Sequence, residues 1–123
     1  MKNKEFIIEY FNAISGKIKT HELLEKYITD KVLIEHIIFF DGAFPKYELV
    51  IEEILSEGDQ VILRARMTGN HEGQFGDIFP THKHVDFPFA IGYKIENGKI
   101  NSHWLIADQM VIMEQLGVEK SLA

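Results

Sequence analysis

The hydrophobic rhythm of this chain changes near Lys46, and that change limits the folds open to it. Before that point apolar residues recur with helical spacing. Phe6, Ile7, Tyr10, Phe11 and Ile14 fall on one face of a helix that Ser15-Gly16 brings to an end. A short second helix follows Thr20 and buries Leu23, Leu24, Tyr27 and Ile28. Thr29-Asp30 offers an N-cap to a third, where Leu33, Ile34, Ile37 and Ile38 repeat the pattern until Gly42 and Phe44-Pro45 stop it. Beyond Lys46 the period is two. Tyr47, Leu49 and Ile51 alternate with other residues, and the phase then slips at Glu52-Glu53, as at a β-bulge. Glu57-Gly58-Asp59 is a turn, and Val61, Leu63, Ala65 and Met67 form one face of the next strand, with Arg64, Arg66 and Thr68 on the other. Residues 72–83, with Gly73, Gly76 and Pro80, read as a loop. Val85, Phe87, Phe89, Ile91, Tyr93 and Ile95 mark a long strand, and Asn97-Gly98 signals a two-residue hairpin. A last strand runs from Lys99 to about Asp108, followed by a helical turn that Gly117 caps.

Three helices followed by an antiparallel meander make an α+β fold, with a curved sheet wrapping the helices around a cavity. A chain of 123 residues suits one core, so a single domain over residues 1–123 is expected. Several strands carry apolar residues on both faces: Val50 and Ile54 beside Leu49 and Ile51, and Ile62 beside Leu63. If one face packs on the helices, the other is free for a second subunit, and a homodimer is expected.

Composition removes several function classes. Thirteen basic residues stand against nineteen acidic ones, for a formal charge of −6, so the basic stripe of a nucleic-acid binder is missing. With no cysteine there is no disulfide, thiolate chemistry or Cys-based zinc site. No apolar run approaches the ~20 residues of a membrane span. Glu9 interrupts the apolar stretch after Met1-Lys-Asn-Lys too early for a secretory h-region. A cytoplasmic protein is the expectation.

The second half carries a specific series of short motifs. In order they are Phe44-Pro45, Gly58-Asp59-Gln60-Val61, Gly69-Asn70-His71-Glu72-Gly73, Pro80-Thr81, Gly98-Lys99-Ile100, His103-Trp104 with Asp108 four residues on, and Gln115-Leu116-Gly117. Together they resemble SnoaL-like polyketide cyclases, a branch of the NTF2-like superfamily. The resemblance covers roughly residues 44–117 well and the helices loosely. It implies an NTF2-like cone, with three N-terminal helices packed on a curved antiparallel sheet of about four long strands. It further implies ring closure by intramolecular aldol condensation, run by an aspartate acid/base without metal or organic cofactor. The family's Trp-x-x-x-Asp falls on Trp104 and Asp108, and its Gly-x-His-x-Gly places a histidine at His71. Two departures stand out. Phe79-Pro80-Thr81-His82 replaces Pro-Pro-Thr-Gly, and Thr29-Asp30 runs directly into the third helix where similar proteins carry a short hairpin that helps wall the pocket.

Each candidate has a functional and a structural reading. By parity Trp104, Ile106 and Asp108 share one face of the last strand. An aspartate beside Trp and Ile is desolvated, and its raised pKa suits proton exchange near neutrality. The same residue stands where an N-cap for the helix starting near Gln109 belongs, and the two roles are compatible. His71 continues the parity of Val61, Leu63, Ala65 and Met67, which aims it at the cavity as an orienting or electrophilic partner; a hydrogen-bonded structural histidine is the alternative. Asp108 and His71 are thus the catalytic candidates, with Trp104, Ile106, Met67 and Tyr93 as the substrate-binding wall. His82 and His84 share a strand face, yet no ligand spacing completes a metal site, His103 has parity opposite to the expected pocket face, and none is expected. Arg64 and Arg66 suit ion pairing on the outer face.

The expected ligand is a small hydrophobic or aromatic molecule, and the expected chemistry is proton transfer beside a carbonyl: aldol-type cyclisation, isomerisation or a lyase step. The alternative is a non-catalytic ligand-binding or dimerisation module of the same fold. Cavity size separates them, since less than ~300 Å³ is too small for a polycyclic substrate.

Overall fold

A computed structural model describes residues 2–118. Helix α1 (Asn3–Ile14) buries Ile7, Tyr10, Phe11 and Ile14, the face set by its apolar spacing. Its C-terminal end is tied to the sheet by Ser15: the Leu49 backbone N–H donates to the Ser15 hydroxyl at 2.8 Å, while the Gly16 N–H donates to the Tyr47 carbonyl at 2.9 Å. Helix α2 (His21–Glu25) starts at Thr20, whose hydroxyl accepts from the Leu23 N–H at 3.1 Å. Helix α3 (Lys31–Ala43) starts at Asp30, whose carboxylate accepts from the Leu33 N–H at 3.2 Å.

Four strands follow: β1 (Glu48–Glu57), β2 (Gln60–Asn70), β3 (His84–Glu96) and β4 (Lys99–Ala107). They form an antiparallel meander in the order β1-β2-β3-β4. The register of β1 on β2 shifts between Ile51 and Glu53, at the phase slip expected from the sequence. Asn97 and Gly98 both have positive φ, 52° and 74°, as a two-residue I′ hairpin requires. Helix α4 (Gln109–Leu116) ends on Gly117 in the left-handed conformation. The α+β expectation, with the helices packed on one face of the antiparallel sheet, therefore holds.

A second irregularity was not legible in the sequence. The pairing of β3 with β4 shifts between Lys94 and Ile95, so Ile95 faces Ile100 but Lys94 faces Ser102. One extra residue on β4 reverses its parity. Ile100 points inward, yet beyond the shift the inward residues are His103, Leu105 and Ala107, paired with Tyr93, Ile91 and Phe89. Trp104 and Ile106 point out of the sheet, which corrects their assignment to the pocket wall. The indole of Trp104 lies across Gly92, where a side-chain Cβ would come within 2.2 Å of its Nε1.

The loop between β2 and β3 is stitched to the end of α3. The N–H groups of Glu72 and Gly73 both donate to the Ala43 carbonyl at 3.1 Å, and a Cβ on Gly73 would sit 1.9 Å from the Gly42 carbonyl oxygen. Only glycine allows that approach. On the outer face Arg64 pairs with Glu52 and Glu53, and Arg66 with Asp86, in line with the expected ion pairing. No helix among the described residues is long and apolar enough to cross a membrane.

Candidate active site

Between the helices and the inner face of the sheet lies a cavity of about 80 Å³. Leu33, Ile37 and Phe40 of α3, Met67 of β2, and Phe87, Phe89 and Ile91 of β3 make it predominantly apolar. Most of the lining residues that keep solvent access, His36 and Phe40 on α3, Leu105 and Ala107 on β4, and Gln109 on α4, mark its mouth; Leu49 and Phe89 are half-buried as well. That volume holds a compact molecule and lies well below the ~300 Å³ a polycyclic substrate needs.

Its polar groups are few. Tyr10, Tyr47 and Tyr93 line the cavity, and no described residue hydrogen-bonds any of their hydroxyls. Burial pushes each phenol well above its ordinary pKa, and the tyrosines reinforce one another: Tyr93 acts on Tyr10, Tyr47 on Tyr93, and Tyr10 with Asp41 on Tyr47. All three are therefore neutral O–H donors at any physiological pH. Tyr10 and Tyr93 meet edge-to-face, with centroids 6.1 Å apart. Tyr47 is fixed from behind by the buried Lys19. The Lys19 ammonium lies 3.9 Å from the Tyr47 ring centroid and donates to the Tyr47 carbonyl at 3.0 Å and to the Lys17 carbonyl at 2.8 Å. Burial lowers the Lys19 pKa, and Asp41 opposes the shift.

His36 and, at the mouth, Gln109 are the other polar lining residues. The His36 ring stacks on Phe40 with centroids 4.7 Å apart. Burial lowers its pKa, and the charge of His103 lowers it further, so it is a neutral imidazole near pH 7.

The residues singled out from the sequence do not converge here. Met67 and Tyr93 line the cavity as expected. Trp104 and Ile106 are exposed on the opposite face of the sheet. Asp108 is exposed too, and one of its carboxylate oxygens accepts from the N–H of Met110 at 2.9 Å and of Val111 at 3.4 Å; it caps α4 outside the cavity lining. His71 does not line the cavity either. Fully buried, it packs against Phe44 and Phe75, with centroids 5.4 and 6.4 Å away. The Thr81 N–H donates to His71 Nδ1 at 3.1 Å, so the neutral ring carries its proton on Nε2, which has no hydrogen-bond partner among the described residues. Burial lowers the His71 pKa, the Gly73 backbone partly opposing. Of the other histidines, His82 bonds Glu72 and His84 bonds Asn70.

Sequence reasoning passed over His36, Tyr10 and Tyr47 as functional groups. The signal for His36 was present: it is the one polar residue in the stripe Leu33, His36, Ile37, Phe40. The tyrosines were read only as core, and nothing in their spacing distinguishes a hydroxyl that meets a cavity from one that meets a carbonyl.

The family model of SnoaL-like polyketide cyclases matches residues 30–116. No curated protein matches the sequence. Among solved structures, TsrD from Streptomyces laurentii superposes with a TM-score of 0.81 at 14% identity, covering 97% of this chain and 100% of that one. IdmH from Streptomyces antibioticus, designated a candidate polyketide cyclase, gives 0.78 at 20% identity over 96% and 100%. AclR from Streptomyces galilaeus, designated a candidate hydroxylase, gives 0.79 at 21% identity over 93% and 80%. At such identities the likeness is one of fold.

Proposed function

Because the chain belongs to the SnoaL-like polyketide cyclase family, we propose that its cavity is a small-molecule enzyme site for a compact carbonyl compound, and that it runs proton transfer next to that carbonyl. One observation carries the reading: a mostly apolar cavity is lined by three tyrosines whose hydroxyls have no hydrogen-bond partner among the described residues and by one neutral imidazole, with the Gln109 amide at its mouth. The hydroxyls of Tyr10, Tyr47 and Tyr93 are donors for the carbonyl oxygen. His36 takes the proton from the adjacent carbon, and the hydrogen bonds strengthen as charge builds on the oxygen. Closing a polyketide ring begins with the same deprotonation. A cavity of about 80 Å³ restricts the ligand to one ring at most.

The second reading is a binding module that has kept the fold and lost the chemistry. It is favoured by the position of Asp108, whose carboxylate serves the α4 cap, and by a cavity well below the ~300 Å³ a polycyclic substrate needs. The probe 3-cyclohexen-1-one, a single-ring ketone, decides between them. Hydrogen–deuterium exchange at its α-carbon, followed by NMR, should be accelerated by the protein and fall ~10²–10⁴-fold in His36→Gln. Thermal stabilisation by the ketone without exchange would establish the binding module, and neither effect would remove both readings.

We also propose that a second copy of the chain covers the outer face of the sheet. Leu55, Ile62, Gly92 and Trp104 form a continuous apolar row across all four strands, with Ile106 beside it. The neighbouring arginines are already neutralised within the chain, so two such faces meet without unpaired like charges.

A further inference from the structure

The three tyrosines that line the cavity do not stand in equal surroundings. Each is at most 5% exposed, and no hydroxyl has a partner among the described residues. Their oxygens are nevertheless not sealed off. Among the described residues the buried, fully enclosed side-chain nitrogen or oxygen without a partner is His71 Nε2. Each phenol oxygen therefore keeps accessible surface, and the space that these side chains line is the cavity. Tyr10 and Tyr93 have other rings as neighbours: each other, Phe11 and, for Tyr10, Tyr27. Tyr47 differs in having a cation against its ring, the Lys19 ammonium 3.9 Å from the centroid.

That charge is held in place. The Lys19 side chain has no exposed surface, and its Nζ has three acceptors: the Lys17 carbonyl at 2.8 Å, the Tyr47 carbonyl at 3.0 Å and Asp41 Oδ1 at 3.5 Å. Only the ammonium form offers three N–H groups, so the acceptors themselves favour the proton. Asp41 is held in turn, its Oδ2 by the Lys19 N–H at 3.2 Å and its Oδ1 by the Lys46 N–H at 3.0 Å. The two charges act on the phenol in opposite senses. The Asp41 carboxylate makes Tyr47 a weaker acid, whereas a cation over the ring draws electron density from the oxygen and makes the O–H a stronger donor.

We infer that Tyr47 is the principal donor to the carbonyl oxygen of the ligand, and that Lys19 is the positioning residue that holds and polarises it. The inference rests on the reading of the cavity as a carbonyl site and deepens it by fixing where the oxygen lies, with Tyr10 and Tyr93 serving mainly as ring surface. As the α-proton leaves, negative charge builds on that oxygen. The cation behind Tyr47 then gains in effect, since its buried surroundings screen it little. Lys19 thus acts on the rate more than on binding.

The competing view makes Lys19 and Asp41 a clasp that ties the segment after α1 to the end of α3. The full chain with 3-cyclohexen-1-one, labelled with carbon-13 at its carbonyl, separates the views by NMR. Donation to the oxygen moves the carbonyl signal of the bound ketone downfield. Tyr47→Phe should remove most of that displacement and slow α-exchange ~10²–10³-fold, as loss of an oxyanion donor does, while Tyr10→Phe and Tyr93→Phe each cost less than ~10-fold. Lys19→Met should slow exchange ~10-fold with the affinity for the ketone within ~2-fold. Asp41→Asn supplies the opposite sign and carries the test should Lys19→Met not fold. At about pH 6, where Lys19 stays protonated, Lys19→Met should move the carbonyl signal upfield and Asp41→Asn downfield. Loosening a clasp would move both toward the free ketone. If Tyr10→Phe or Tyr93→Phe removes the displacement while Tyr47→Phe keeps it, or if Asp41→Asn moves the signal upfield, the inference fails with the cavity reading intact. If the wild-type protein neither displaces the carbonyl signal nor exchanges the α-proton, the cavity reading fails and takes the inference with it.

Discussion

The two faces of one sheet differ more than any two elements of this molecule. On the inner face Val61, Leu63, Ala65 and Met67 of β2 are buried, as are Val85, Phe87, Ile91, Tyr93 and Ile95 of β3. On the outer face the residues between them remain accessible, except Gly92 beneath the Trp104 indole, and the face includes the large apolar side chains Ile62, Trp104 and Ile106. Hydrophobicity therefore does not decide which side is core. The decision comes from the helices, which cover one side only, and from the bulges that set which parity of each strand faces them. The inner face then has little polar character to spare: its hydroxyls and imidazoles are either engaged, as His103 is, or gathered at the cavity. The outer face carries its charges openly and pairs them across strands.

Adjacent residues of β2 test this contrast most strongly. Leu63 is 2% exposed and faces the helices, whereas Ile62 is 42% exposed and faces away. Leu63→Ala should cost about 2–5 kcal/mol of unfolding free energy in a urea titration, because it removes packed methyl groups and leaves a void. Ile62→Ala, measured at a dilution where the protein is monomeric, should stay within about 1 kcal/mol. Equal losses at both positions would mean that the two faces are equivalent in the isolated chain, contrary to the fold described.

Covering of the outer face is the next test. Light scattering at micromolar concentration should give about twice 14.2 kDa, and Ile106→Arg should return the mass to that of one chain. Ile106 is 67% exposed, so the substitution should leave the fold of the single chain within ~0.5 kcal/mol. The association it disrupts should bury more than ~1,000 Å² in total. A wild-type protein that scatters as one chain would show that nothing of its own kind covers the row from Leu55 to Trp104.

The same contrast explains what the sequence could and could not reveal. Element types were legible because periodicity reports them directly: the Tyr10, Phe11, Ile14 stripe, the alternation of β3, the Asn97-Gly98 turn and the slip at Glu52-Glu53 all appear where expected. The face of β4 was not. Trp104 and Ile106 on one parity and Leu105 and Ala107 on the other are equally apolar, so alternation gives no sign. The single residue that reverses the phase lies next to a hairpin, where an extra residue leaves no compositional mark. Reading Trp104, Ile106 and Asp108 as a pocket wall followed from a motif whose spacing survives either phase. For His71 the structural alternative holds, and the cavity reading failed for a related reason. The strand before it ends at Asn70, so parity carries no information about the residue that follows. His36 became visible as a cavity group only when α3 was laid against the sheet.

Asp108 carries the smallest expected effect and tests the motif itself. Its carboxylate is exposed and accepts from the Met110 and Val111 N–H groups, two of the donors that the first turn of α4 leaves free. Asparagine offers the same acceptor at nearly the same shape, so Asp108→Asn should change stability by no more than ~0.5 kcal/mol. Alanine removes the acceptor, and Asp108→Ala should cost roughly 1 kcal/mol, measured by thermal or chemical unfolding. Turnover of a carbonyl substrate separates the cap from a proton shuttle. An acid/base replaced by asparagine loses ~10²–10⁴-fold in rate, whereas a cap so replaced loses almost nothing. The position of the side chain outside the cavity predicts the second outcome: Asp108→Asn should exchange the α-proton of 3-cyclohexen-1-one at close to the wild-type rate. A large loss of rate with unchanged stability would mean that α4 turns inward during the reaction and carries Asp108 across the mouth of the cavity. In that case the reaction would act through the aspartate of Trp-x-x-x-Asp, and the role given to His36 would have to be withdrawn.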